Sequence, residues 1–383
     1  MITRQLMPQV GKLMQYFPIV YVGGPRQSGK TTLLRHLLPD LPYANLENPD
    51  TQLFAQQDPR RFLASFPQGA ILDEAQRVPH LFSYLQGVVD GNRDLRFVLS
   101  GSQNFLMMEK ITQSLAGRVG ILNLLPLSWN ELPEEIQHTL SSEQWAFQGG
   151  YPVIYDKSAP PSLVYPNYLD TYLQRDVRLL QNVGDLAQFN RFVRLCAGRV
   201  GQLLNLSTLS KDADVSVNTV KSWLSILEAS YLVYFLQPYF NNFNKRLIKS
   251  PKMYFTDTGL LCYLLGITSA EQLSTHYYFG NIIENMLLME LYKSRVHQGI
   301  RPQFWFWRDS NGNEVDLLIE EDGALKSVEF KASQTFNTRL FSGLAWWQQT
   351  SGVPPDYCAV IYLGEQEFET AHGRLLYWKN AKM

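Results

Sequence analysis

The stretch Gly24-Pro25-Arg26-Gln27-Ser28-Gly29-Lys30-Thr31, with Thr32 behind it, decides how the chain is read. It fits G-x-x-x-x-G-K-[ST], and its flanks suit that pattern. Before it, Pro18-Ile-Val-Tyr-Val22 has the apolar run of a short buried strand; after it, Thr32-Leu-Leu-Arg-His-Leu-Leu38 has the spacing of an amphipathic helix. A loop between such elements can wrap phosphates. Its glycines let the backbone approach, successive N–H groups and the helix N-terminus face the anion, and Lys30 reaches the outer phosphates. The Thr31 hydroxyl is then placed to ligate Mg²⁺. The expectation is a site for ATP and Mg²⁺ over Gly24, Pro25, Arg26, Gln27, Ser28, Gly29, Lys30, Thr31 and Thr32.

Length and composition bound the rest. A chain of 383 residues, 45% hydrophobic and 18% charged, has the apolar mass for two or three folded domains. Its net charge of −1 supplies no global field for nucleic acid or membrane, so any basic surface must be local. Cys196, Cys262 and Cys358 are odd in number and lack paired spacing, which speaks for a reducing compartment and against a disulfide framework or zinc site. The first residues lack an apolar signal core, and no run approaches the ~18 apolar residues of a membrane span. A cytoplasmic protein is expected.

Further along, residues before Pro18 place Leu6, Val10, Leu13 and Met14 on one helical face. Tyr43-Ala-Asn-Leu-Glu47 is a candidate second strand. Gly69-Ala-Ile-Leu-Asp73-Glu74 is an apolar strand ending in two acids. Following a phosphate loop, this is the second half of a nucleotide hydrolase: Asp73 would hold Mg²⁺ and Glu74 would polarise the attacking water. Leu95-Arg-Phe-Val-Leu-Ser-Gly-Ser102 is a further strand with a polar end. In a doubly wound sheet that end lies at the nucleotide crevice. Ser102, beside Gln103 and Asn104, would sense the γ-phosphate or position water, or cap a helix from Asn104 to Leu115. Ile121-Leu-Asn-Leu-Leu125 is a fifth strand. Arg118 ahead of it is either an arginine finger, in cis or from a second copy in a homo-oligomer, or a surface arginine.

Gly24–Thr31, Leu72-Asp-Glu-Ala-Gln76, Leu99-Ser-Gly-Ser102, Ala116-Gly-Arg118 and Leu125-Pro-Leu-Ser-Trp-Asn-Glu131 together resemble the bacterial and archaeal AAA+-type ATPases that carry a C-terminal region named domain of unknown function 4143 (DUF4143). The likeness covers nearly the whole chain. It implies an α/β fold with a P-loop AAA+-like parallel sheet core, a helical lid and ATPase activity.

The second half continues the reading. Residues 1–128 are assigned to the ATPase core and 129–190 to the lid, where Arg175-Asp176 is a local ion pair or a second nucleotide-facing arginine. Over 191–255 the order is Leu206–Ala213 helix, Asp214–Ser216 turn, helix from Val217 to Glu228, then strand Leu232–Leu236. That is the order of a winged helix-turn-helix. Between Arg199 and Lys252 seven Lys/Arg stand against three acids. Asn218, Thr219, Lys221 and Ser222 would face a DNA groove, with Lys245, Arg246 and Lys249 toward phosphates, unless the unit is a protein–protein module.

Residues 256–383 carry a second constellation. A helix from Gly280 bears Glu284, a strand Glu314–Ile319 bears Asp316, and a strand Ser327–Lys331 bears Glu329 and Lys331 on one face. Glu284, Asp316 and Glu329 would form an oxygen site for Mg²⁺ or Mn²⁺, with Lys331 positioning water or stabilising the transition state. The pattern resembles the PD-(D/E)xK nucleases, although Val315 stands where the motif has proline. His276, His297 and His372 show no metal spacing and are read as incidental. Two readings follow: an ATP-driven protein that acts on or docks to DNA, with a nuclease-like domain whose activity is left open, or a nucleotide-gated protein-interaction switch in stress, defence or toxin–antitoxin signalling with an inactive nuclease fold.

Overall fold

The computed structural model describes residues 2–102, 114–172, 177, 185–240 and 249–381. Gln103, Asn104, Arg175, Asp176, Lys245 and Arg246 lie outside the described residues.

Five strands, β1 (Ile19–Gly23), β2 (Tyr43–Asn45), β3 (Ile71–Asp73), β4 (Phe97–Gly101) and β5 (Val119–Asn123), form one sheet in the order β2-β3-β4-β1-β5. Every pairing is parallel. Strands of this kind are covered on both faces and so run apolar without alternation. Val20 and Val22 pack with Leu6, Val10, Leu33 and Leu34 on one side, whereas Ile19 and Tyr21 join Leu72, Phe97 and Leu99 on the other. The Met7–Tyr16 helix closes the first side through Leu6 and Val10, as its apolar stripe requires. β4 sits between the strand that feeds the phosphate loop and the strand that ends in Asp73. Their carboxyl ends therefore open on one crevice.

Much of the rest of the chain shares one apolar cluster that reaches from Leu127 to Trp378, with smaller clusters around Leu344 and Trp347. Four helices, Glu134–Thr139, Ser142–Gln148, Pro152–Asp156 and Pro161–Tyr172, lie in the stretch expected as a lid. The helix Leu206–Ala213, a turn with Asp214 in the left-handed region, and the helix Val217–Ala229 follow in the expected order. Ser216 Oγ accepts the Thr219 N–H at 3.0 Å and so fixes where the second helix begins.

β6 (Val233–Pro238) and β7 (Lys252–Phe255) then pair antiparallel. This hairpin does not end a separate unit. β6 also pairs with β8 (Phe304–Arg308), and β8 continues into β9 (Glu314–Glu321), β10 (Ala324–Lys331), β11 (Cys358–Tyr362), β12 (Phe368–Thr370) and β13 (Gly373–Tyr377). One eight-stranded sheet, in the order β12-β13-β11-β10-β9-β8-β6-β7, thus crosses the boundary expected at 255/256. The 19-residue helix Phe279–His297 buries Ile282, Ile283, Asn285 and Leu288 around its circumference, so it lies inside the molecule. Among the described residues, no helix is long and apolar enough to cross a membrane.

Candidate functional site

The phosphate loop leaves β1 at Gly23 and enters the Lys30–Leu37 helix through Gly29, whose φ of 94° is open to glycine at little cost. Gly24 is required for a different reason: a Cβ there would lie 2.1 Å from the Leu124 carbonyl oxygen. Ser28 is fully buried, and among the described residues its Oγ has no hydrogen-bond partner. A buried hydroxyl left without a partner is costly unless a ligand meets it. Lys30 is buried too, and its ammonium donates to the carbonyls of Gly24 at 2.9 Å and Pro25 at 2.8 Å. Those are neutral acceptors, which phosphate oxygens would outcompete.

Across the loop, β3 delivers Asp73 and Glu74. Thr31 Oγ1 donates to Asp73 Oδ2 at 2.7 Å, which joins residues 42 positions apart. Tyr43 donates to the same oxygen at 2.8 Å, and Ser100 on β4 donates to Asp73 Oδ1. Burial, then this bond to Asp73, pushes the Tyr43 hydroxyl well above its ordinary range. Glu74 follows in the left-handed region at φ 54°, a conformation that costs a non-glycine residue about 1 kcal/mol. Its Oε2 accepts from Gln76 Nε2, and Ser102 Oγ lies 3.3 Å away. Ser102 is therefore at the crevice, as its place on β4 predicted. Tyr43, Ser100 and Gln76 were not singled out, although Gln76 stands in the quoted Leu72–Gln76 run.

A cavity of about 140 Å³ adjoins the loop, lined by Ile2, Ser28, Gly29, Thr32, Leu127 and Pro152 among others. It joins the loop to the lid.

Arg118 is placed elsewhere. It precedes β5, and its carbonyl accepts the N–H of Ile19 at the start of β1. Five strand residues, about 16 Å, separate it from the phosphate loop at the other end. Its guanidinium makes a two-pronged contact with Asp90 at 2.7 and 2.8 Å. The reading of Arg118 as a finger for its own nucleotide is therefore corrected. It faces away from that site.

The C-terminal constellation also differs from expectation. Helix Phe279–His297 and strands β9 and β10 do bring Glu284, Asp316, Glu329 and Lys331 into one region, but β7 adds Lys252 in their midst. Lys252 is 2% exposed and binds Glu284 at 3.3 Å and also Glu314. Burial alone would lower its ammonium, yet Glu284, Asp316 and Glu314 hold it above the ordinary lysine range. Tyr254 donates to Glu284 at 2.6 Å, and Asp316 accepts the Phe330 N–H at 2.9 Å. Lys331 donates to Glu329 at 2.6 Å, so its ammonium is engaged with a carboxylate. Burial, then Asp316, raises the Glu329 carboxyl to about 8.

Among the described residues, no group of three or more His, Cys, Asp or Glu side chains could hold a metal ion. Glu284, Asp316 and Glu329, expected as a Mg²⁺ or Mn²⁺ set, stand here with a buried lysine among them, its ammonium bound to Glu284. Lys252, counted beforehand as one of seven local positive charges, is thus withdrawn from the surface.

Asn218 and Lys221, expected to face a DNA groove, are exposed on the Val217–Ala229 helix, and Thr219 and Ser222 are half-buried beside them. Lys249 is exposed, whereas Arg199 is bound to Asp212.

Known proteins match all three parts of the chain. Residues 16–133 match the family model described as AAA domain, residues 139–271 a domain of unknown function (DUF8612), and residues 279–380 the domain of unknown function DUF4143. Uncharacterized proteins of Mycobacterium tuberculosis and Mycobacterium bovis are each 31% identical over 358 residues, covering 92% of this chain and 78% of theirs. An uncharacterized protein of Haemophilus influenzae is 24% identical, covering 71% of this chain and 74% of its own. Among solved structures, a Walker-type ATPase of Pyrococcus abyssi is 15% identical with a TM-score of 0.46, covering 68% of this chain and 94% of that one.

The sheet order, the loop and the AAA-domain match together define a P-loop ATPase of the AAA type with a DUF4143 region. At 31% identity over nearly its whole length, the chain belongs to the same family as the two mycobacterial proteins.

Proposed function

We propose that this protein is a nucleotide-gated switch, which binds Mg·ATP at residues 24–32 and hydrolyses it with Glu74. The observation that carries this reading is the 2.7 Å contact of Thr31 with Asp73, beside Glu74 at the crevice of the parallel sheet. The buried Ser28 hydroxyl and the exchangeable Lys30 ammonium suit a phosphate guest. Thr31 Oγ1 and Asp73 are hard oxygen donors of the kind Mg²⁺ takes, and they would hold it. When bound, that ion neutralises charge on the β- and γ-phosphate oxygens.

The chain's own residues do the remaining work. Glu74 accepts a proton from a water whose oxygen attacks the γ-phosphorus; the bond from that phosphorus to the bridging oxygen breaks, and ADP leaves with the electron pair. Gln76 and Ser102 hold the Glu74 carboxylate in place. The 140 Å³ cavity, between an apolar wall of Ile2, Leu127 and Pro152 and the loop, suits a planar base. An ATP-turnover assay tests the reading. Phosphate release by the wild type, abolished in Lys30→Ala, is the expected result; no turnover and no ATP binding by the wild type would defeat it.

The output belongs to the second half of the molecule, as a binding surface rather than a metal-dependent nuclease. A second reading, DNA docking, is supported by the exposure of Asn218, Lys221 and Lys249. A salt titration of binding to duplex DNA distinguishes it from a protein-interaction surface, because phosphate contacts release counterions and weaken steeply with salt. Arg118, remote from its own nucleotide, acts under this reading only on a neighbouring copy.

A further inference from the structure

The side chain that grips the phosphate loop from behind is Arg4, and its grip extends to the DUF4143 region. Arg4 is 4% exposed. Its Nη1 donates to the Ser28 carbonyl at 2.7 Å and its Nη2 to the Leu125 carbonyl at 2.7 Å. A trans peptide group points its C=O and N–H in opposite directions. Fixing the Ser28 carbonyl toward Arg4 therefore aims the Gly29 N–H the other way. The arginine thereby orients a donor of the loop itself.

Arg4 Nε in turn donates to Glu131 Oε1 at 3.0 Å. Glu131 also accepts the N–H of Gln5 at 2.8 Å and of Ser128 at 3.0 Å. His297, fully buried at the end of the helix Phe279–His297, places Nδ1 3.1 Å from Glu131 Oε2. Its Nε2 accepts the Leu125 N–H at 3.2 Å, which leaves the ring proton to Nδ1, close to the carboxylate but outside hydrogen-bond geometry.

The link has a register. Leu125, Leu127 and Trp129, two residues apart on the segment that ends in the 3₁₀ turn Trp129–Glu131, meet His297, Lys293 and Glu290, four and three residues apart on one helical face. Lys293 donates to the Leu127 carbonyl at 3.1 Å, and Glu290 accepts the Trp129 N–H at 2.7 Å. The segment follows directly from β5 and lies against Gly24, with the Leu124 N–H donating to the Gly23 carbonyl at 2.7 Å. One strip of backbone thus touches the phosphate loop on one side and the long C-terminal helix on the other.

We propose that Arg4 is a positioning residue of the phosphate loop, and that residues 125–131 couple nucleotide occupancy to the C-terminal helix, with Glu131 and His297 as the connecting pair. The proposal rests on the reading that the loop binds ATP or ADP. Coupling of this kind is reciprocal: if the loop alters the helix, the helix alters affinity at the loop by the same factor.

The experiment uses the full chain with ADP as the probe. Hydrogen exchange of the segment 290–298 is followed with and without saturating ADP, while calorimetry gives the ADP affinity. In the wild type ADP slows exchange in 290–298. In His297→Gln and in Glu131→Gln that response is lost, and ADP affinity falls about fivefold or more. Arg4→Gln weakens ADP binding likewise, and Arg4→Lys, which keeps a donor for Ser28, recovers part of it.

Wild-type ADP binding without any exchange response, together with unchanged affinity in His297→Gln, would make the network purely structural and end the proposal while leaving the ATP reading intact. Failure of the wild type to bind ADP would end both. The wild-type exchange comparison needs no variant, so poor folding of Glu131→Gln does not remove the test.

Discussion

Two regions of this molecule gather acidic residues around a buried lysine, and they differ in what the charges face. At the phosphate loop, Lys30 donates to neutral carbonyls, and Asp73 accepts from the hydroxyls of Thr31, Tyr43 and Ser100. In the C-terminal sheet, Lys252 is bound to Glu284 and Glu314, Lys331 to Glu329, and Arg308 to Glu314. A cation held by carbonyls and a carboxylate held by hydroxyls can be re-partnered by phosphate and a divalent ion at low cost. A buried charge already paired, as Lys252 is, cannot, because separating the pair leaves an uncompensated ion. Under the proposed reading the first arrangement suits a phosphate guest; the second is a set of ion pairs.

The largest effect should come from the first region. Lys30→Ala removes a charged donor to phosphate and weakens ATP binding by about thirtyfold or more, measured by calorimetry. In the second region, Lys252→Ala strands buried carboxylates and lowers stability by about 3–5 kcal/mol in urea unfolding. Mn²⁺ should raise the melting temperature of that variant by more than that of the wild type. If the wild type gains as much and nicks DNA, the contrast between the regions is wrong.

A smaller effect concerns pH. Glu329, raised to about 8 in the folded state against an ordinary carboxyl near 4.5, binds more protons folded than unfolded between those values. Stability is therefore favoured at low pH and declines as pH rises through that window. Glu329→Gln should flatten the decline in a melting series. Smallest, Arg118→Ala leaves ATP affinity unchanged, because that side chain lies at the far end of the sheet. A loss of affinity would show that the site extends beyond the crevice.

How much of this was legible depended on the range of the interaction. The phosphate loop is local, eight consecutive residues with a strand and a helix beside them, and its sequence reading matched the geometry. Asp73 and Glu74 followed from their strand. Arg4 was invisible, because its partners lie 24, 121 and 127 residues away and a lone arginine before a helix has no pattern. His297 was read as incidental for want of metal spacing, but its role comes from tertiary contact with Glu131 and Leu125. Lys252 entered only a count of local charge, because charge counting along the chain does not register burial, and its place among Glu284, Glu314 and Asp316 was not legible. The strands β11 to β13 and the helix Ser342–Ser351 went unread, since the sequence argument stopped at Lys331.

The central claim, that residues 24–32 and Glu74 form a working ATPase, is tested most directly by Glu74→Gln. Phosphate release and ATP binding are measured side by side with Mg²⁺ for the variant and the wild type. The account predicts that the variant binds ATP as the wild type does while its turnover falls about 10²- to 10⁴-fold. Turnover at the wild-type rate in Glu74→Gln would contradict it.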